Sequence, residues 1–210
     1  PKETLRLAIS HHNAGRAAEA GRLYHDILRR LPGHPVAATL LARLALKRRH
    51  FVEAQTLLMV AVTNAPDYMQ AHVALGECHE QAWAQGPATR AYRRALALAP
   101  EQAGTLVTLG NLEQRANNDN LAGALYRRAL VIQPGLVAAA NNLAATCLKC
   151  ADPIGALDAT DRVLESNPSH VRAIAYRTVA LRALGRDAEA DRFLGFGSLV
   201  TSTQLDPSSR

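Results

Sequence analysis

Apolar side chains recur at three- and four-residue intervals along most of the chain, in bursts of about a dozen residues that each predict an amphipathic helix. The bursts come in pairs, of which 69–82 and 86–98 are one example. Helices this short cannot bury their apolar faces alone. A pair must stack on neighbouring pairs to complete a continuous core.

The pairs repeat with a period of 34 residues. YRRALALAP, residues 92–100, returns as YRRALVIQP, residues 126–134, and prolines fall at Pro32, Pro66, Pro100, Pro134 and Pro168. GRAAEA at 15–20 returns as GRDAEA at 185–190. The chain therefore divides into units 1–34, 35–68, 69–102, 103–136, 137–170 and 171–200, followed by a polar tail or linker, 201–210.

Within each unit, large and small residues alternate in fixed columns. The twentieth place is always alanine: Ala20, Ala54, Ala88, Ala122, Ala156 and Ala190. The twenty-fourth reads Tyr24, Leu58, Tyr92, Tyr126, Thr160 and Leu194. The eighth is small, with Gly76 and Gly110 its extremes, so that paired backbones can approach closely. The proline column should stop each second helix, because proline lacks an amide donor and biases the preceding residue away from helical geometry.

These columns and their period resemble the tetratricopeptide repeat family over residues 1–200. The resemblance implies an all-α, right-handed superhelical solenoid of about six helix-turn-helix repeats. Unit 171–200 departs from it: Arg177 and Thr178 replace the leucine–small pair, Gly197 replaces alanine and Ser202 stands in the proline column. That unit is read as degenerate or capping. Phe193, Phe196, Leu199 and Val200 are expected to cover the end of the stack, and if they do not, the end can self-associate.

Chemistry-bearing motifs are sparse. Cys78, Cys147 and Cys150 do not make a disulfide framework, which fits a reducing, cytoplasmic setting. CLKC at 147–150 lacks a second ligand pair for zinc, and Cys147 falls in a core column. None of the eight histidines has an acid two places on, as an oxygenase iron site would need. His79 shares the column of Cys147 and reads as a partly polar packing residue. GFGSLV at 195–200 lacks the third glycine of a dinucleotide fingerprint, and no phosphate loop or nucleophile elbow occurs. No catalytic residue, metal or cofactor is assigned, and no apolar run reaches bilayer length.

What remains is surface. The resemblance places the first helix of each unit on the concave side, where periodicity selects places two, five, six, nine, twelve and thirteen. Those places carry Lys2, Arg6, Arg43, Lys47, Arg115, Lys149, Arg172 and Arg182 against only Glu77 and Glu80. Thr39, Asn111, Asn141 and Asn142 add hydrogen-bonding groups. The chain as a whole holds 24 basic and 18 acidic residues, so the face is more basic than the rest. It suits an acidic or extended polypeptide, drawn in by charge and held by asparagine. The partner-binding set is Arg43, Lys47, Asn111, Arg115, Asn142, Lys149 and Arg172.

Three other readings compete with this one. Asn111, Asn142 and Arg172 occupy places of the carboxylate clamp of tetratricopeptide cochaperones, but Val107 and Tyr176 replace its other cations. RNA binding is suggested by the sequence pI of about 9.7 and disfavoured by the scarcity of aromatics for base stacking. Segment 180–200 is similar to the junction before an iron and 2-oxoglutarate oxygenase, so the chain can also be read as a substrate-docking arm of a larger oxygenase, glycosyltransferase or sulfotransferase.

Overall fold

A computed structural model describes residues 2–193, and they are helical throughout apart from the turns. In chain order the helices are α1 (Lys2–Asn13), α2 (Ala17–Arg30), α3 (Pro35–Lys47), α4 (Phe51–Asn64), α5 (Met69–Gln81) and α6 (Gln85–Leu98). They continue as α7 (Ala103–Arg115), α8 (Asp119–Ile132), α9 (Val137–Lys149), α10 (Pro153–Ser166) and α11 (Val171–Ala183), and residues 187–193 are helical as well. Two compact units divide the chain, Pro1–Pro100 and Glu101–Arg210. The first holds α1–α6 and the second α7–α11.

Helix boundaries keep the 34-residue step to the residue: second helices begin at 17, 51, 85, 119, 153 and 187. Two local devices set them. Each first helix ends in a left-handed residue at the fifteenth place: Gly15 (φ 74°), Arg49 (63°), Trp83 (59°), Asn117 (60°), Ala151 (56°) and Gly185 (72°). The next amide then reaches back across the last turn, as in His50 N to Ala45 O at 2.9 Å and Asp152 N to Cys147 O at 2.8 Å. These six-to-one bonds satisfy carbonyls the helix would otherwise leave open.

Second helices end two residues before the proline column. The intervening residues are extended, with Ala65 at φ −142°, ψ 81° and Asn167 at −144°, 87°. A following proline imposes that conformation by clashing with helical geometry. The next first helix is capped at two of its starts by histidine: His34 Nδ1 accepts from Ala37 N and His170 Nδ1 from Ala173 N, both at 3.2 Å. Both histidine side chains thus serve as helix caps.

Helices pair as hairpins, and within each compact unit second helices also meet the next first helix, as α2 does α3 and α8 does α9, while first helices meet one another, as α3 does α5 and α7 does α9. The alanine column forms the seam, with Ala20, Ala54, Ala88, Ala122, Ala156 and Ala190 all fully buried. Tyr24, Tyr92 and Tyr126 are buried beside it. Gly76 makes room for one of them: a β-carbon there would lie 2.6 Å from Tyr92 Cε1. Burying one such ring contributes roughly 1.5–3 kcal/mol, a gain open to the three hairpins that carry the tyrosine.

Cys147 is buried as its column predicts, and burial pushes its thiol up to about 11, so it stays protonated and inert. His79 is half-buried, and burial followed by Arg90 lowers its pKa. In the last unit Arg177 pairs with Asp161 and lies 4.7 Å from the centroid of the Phe193 ring. Leu194, Phe196, Gly197, Leu199, Val200, Ser202 and the tail 201–210 fall outside the described residues.

Candidate functional site

In the first unit the contact of α3 with α5 sets Arg43 opposite Glu77, the same place in successive repeats. Arg43 Nη2 donates to Glu77 Oε1 at 3.2 Å, while Arg43 Nε is buried without a hydrogen-bond partner. Burial raises the Glu77 carboxyl above its usual range, and Arg43 opposes that rise. One turn on, Lys47 is exposed near the C-terminal end of α3, where the helix dipole favours a cation.

The C-terminal ends of α1, α3 and α5 border a cleft of about 740 Å³ lined by His12, Arg43, Lys47, Glu77, Glu80 and Trp83 among others. Both acids are engaged, Glu77 by Arg43 and Glu80 by the Tyr92 hydroxyl at 3.2 Å. His12 is pushed toward its neutral form, first by burial and then by Lys47 and Arg43.

Trp83 escaped the sequence reading. It is 87 % exposed and occupies the left-handed turn position after α5. The signal was present in the column: a bulky aromatic stands where the end repeats have Gly15 and Gly185.

In the second unit, α7 and α9 bring Asn111 and Asn142 together. Asn111 Oδ1 accepts from Asn142 Nδ2 and from the Tyr126 hydroxyl, both at 2.7 Å. Burial pushes the Tyr126 phenol up to about 12, so this donor persists across the physiological range. The two amides still offer the Asn111 NH₂ donor and the Asn142 carbonyl acceptor. Arg115 is exposed at the end of α7, its Nε 3.4 Å from the Asn111 carbonyl. Arg172 is exposed in the first turn of α11.

Two features of the expected face differ. At place five the two polar residues turn inward: Thr39 is 1 % and Asn141 6 % exposed, so neither can touch a partner. Helix packing rotates that column under the neighbouring helix, which a periodicity count on one helix cannot show. Lys149 is bound to Asp119, Nζ to Oδ2 at 2.8 Å. Asp119 begins a second helix, so the count over first-helix places omitted it and overstated the charge of the face.

No curated protein sequence matches the chain. Residues 12–76 match a tetratricopeptide repeat family model. Among solved structures, PilW, a widely conserved type IV pilus biogenesis factor, is similar with a TM-score of 0.74 at 18 % identity, over 98 % of this chain and 94 % of that one. YrrB, a TPR protein with an unusual peptide-binding site, is similar at 0.68 and 16 % identity, over 82 % and 89 %. A MamA structure is similar at 0.63 and 18 %, over 90 % and 93 %.

Residues 12–76 are tetratricopeptide repeats by that match, and the same helical-hairpin fold recurs through the rest of the described residues. At these identities the solved structures establish the fold alone, and the chemistry must come from the residues present. Among the described residues no three His, Cys, Asp or Glu side chains converge to hold a metal ion, and no helix is long and apolar enough to cross a membrane.

Proposed function

We propose that this tetratricopeptide repeat chain is a non-catalytic scaffold that binds an acidic, extended segment of a partner polypeptide on its first-helix faces. One observation carries the reading: Lys47 stands exposed in the cleft with no ion pair among the described residues. A carboxylate entering there gains a free ammonium without displacing either acid from its partner. In the second unit Arg115, Arg172 and the Asn111–Asn142 pair offer the matching chemistry, charge for a side chain and amide groups for a main chain.

The test is binding of a fluorescein-labelled oligoglutamate peptide, followed by anisotropy at two salt concentrations. The wild-type chain should bind, more weakly at high salt. Lys47→Glu and Arg172→Glu should each weaken binding while helicity by circular dichroism is unchanged. Equal binding by all three proteins, or competition by oligouridylate at lower concentration than by the peptide, would sink the reading.

A further inference from the structure

Trp83 has no structural reason to be a tryptophan. It lies in the left-handed region, which penalises every side chain and a bulky one most, at a turn that glycine serves in two other repeats. It buries almost none of its surface, so it gains nothing from packing to offset that penalty. What distinguishes Trp83 from Arg49, Asn117 and Ala151, which share its turn place, is a large exposed aromatic ring bordering the cleft, a surface suited to a contact from outside the chain.

The surroundings define what that contact is. Phe51 also lines the cleft, with the Arg49 guanidinium 5.8 Å from its ring centroid. Trp83 and Phe51 supply apolar aromatic surface, and Arg49, Lys47 and Arg43 supply positive charge. Aromatic rings prefer offset or edge-to-face partners, and cations beside them select a neighbouring carboxylate.

We infer that the cleft at the C-terminal ends of α1, α3 and α5 reads an aromatic residue flanked by acidic ones in the partner polypeptide, with Trp83 as the stacking surface and Lys47 and Arg49 as the carboxylate contacts. The inference rests on the acidic-peptide reading above and adds a sequence preference to it.

Trp83 is the chain's single tryptophan, so intrinsic emission reports this site alone. The probes are two acetylated, amidated pentapeptides, Glu-Glu-Phe-Glu-Glu and Glu-Glu-Ala-Glu-Glu, titrated by fluorescence and calorimetry, with oligouridylate as a third ligand. The phenylalanine peptide should shift the emission to the blue and bind about two- to tenfold more tightly than the alanine peptide. That preference should vanish in Trp83→Ala and survive in Trp83→Phe. If both peptides bind equally and emission is unmoved, this inference falls while the acidic-groove reading stands. If neither peptide binds, both fall. Emission quenched by oligouridylate and not by peptide would reassign the cleft to nucleic acid.

Discussion

Gly110 and Tyr126 occupy one space: a β-carbon on the glycine would lie 2.5 Å from the tyrosine Cε1. The ring cannot swing aside, because Tyr126 is fully buried and its hydroxyl is held by Asn111 at 2.7 Å. Gly110→Ala should therefore destabilise the chain by about 1–3 kcal/mol, the usual cost of overpacking. Adding Tyr126→Leu should recover part of the loss, since Ala42 and Leu58 fill the same columns in the second repeat. Urea denaturation of the three proteins checks this, and an unmoved midpoint for Gly110→Ala would refute it.

The left-handed column offers a change in the opposite direction. Ala151, at φ 56°, carries a β-carbon in a conformation that costs roughly 1–2 kcal/mol. Ala151→Gly removes that strain and adds freedom to the unfolded chain worth about 0.5–1 kcal/mol. The net result should be a gain of up to about 1 kcal/mol, with Ala151→Val moving the other way. Thermal denaturation of the pair reads the sign, and a stabilising valine would refute it.

Both positions show how far the sequence leads. Period, hairpins, proline stops and the alanine seam are legible because each is a local signal copied every 34 residues, and Ala20 to Ala190 are buried as their column requires. The face is less legible, because it depends on how neighbouring helices rotate against one another. Thr39 lies on the expected side of its own helix and is covered by another, and Lys149 finds Asp119 across 30 residues. Trp83 was missed for a different reason: an aromatic at a turn place stands out only when its repeat column is compared with Gly15 and Gly185, which a hydropathy pattern along one helix does not do.

Thr39 itself is open to test. Its hydroxyl is buried with no hydrogen-bond partner, so the fold bears the cost of stripping water from it without recompense. Thr39→Val keeps the branched shape and removes the stranded group, and should stabilise by about 1 kcal/mol. Equal or lower stability in urea would show that the hydroxyl is satisfied in solution.

His12 couples the cleft to pH. Its folded pKa is lowered from 6.5 by burial, Lys47 and Arg43, so the unfolded chain takes up the proton more readily. The stability associated with neutral His12 is present above about pH 6.5 and is lost as pH falls below that value toward the folded pKa. His79, lowered by burial and Arg90, contributes with the same sign. Urea midpoints measured from pH 7.5 to 5 should fall, and less steeply in His12→Gln. Parallel curves for the two proteins would remove His12 from the account.

Because the turn residue and the pre-proline residue fix each helix end from within its own repeat, the information for a hairpin is held in about 34 consecutive residues. The principal helix contacts join helices adjacent or next-but-one along the chain. Contact order is accordingly low, and little loop-closure entropy stands between the unfolded chain and its first formed hairpin. Such a chain can begin folding at any sufficiently stable hairpin and propagate outward, and it can open a few helices at a time. Amide exchange should then be graded along the sequence, fastest in the hairpins with fewest neighbours.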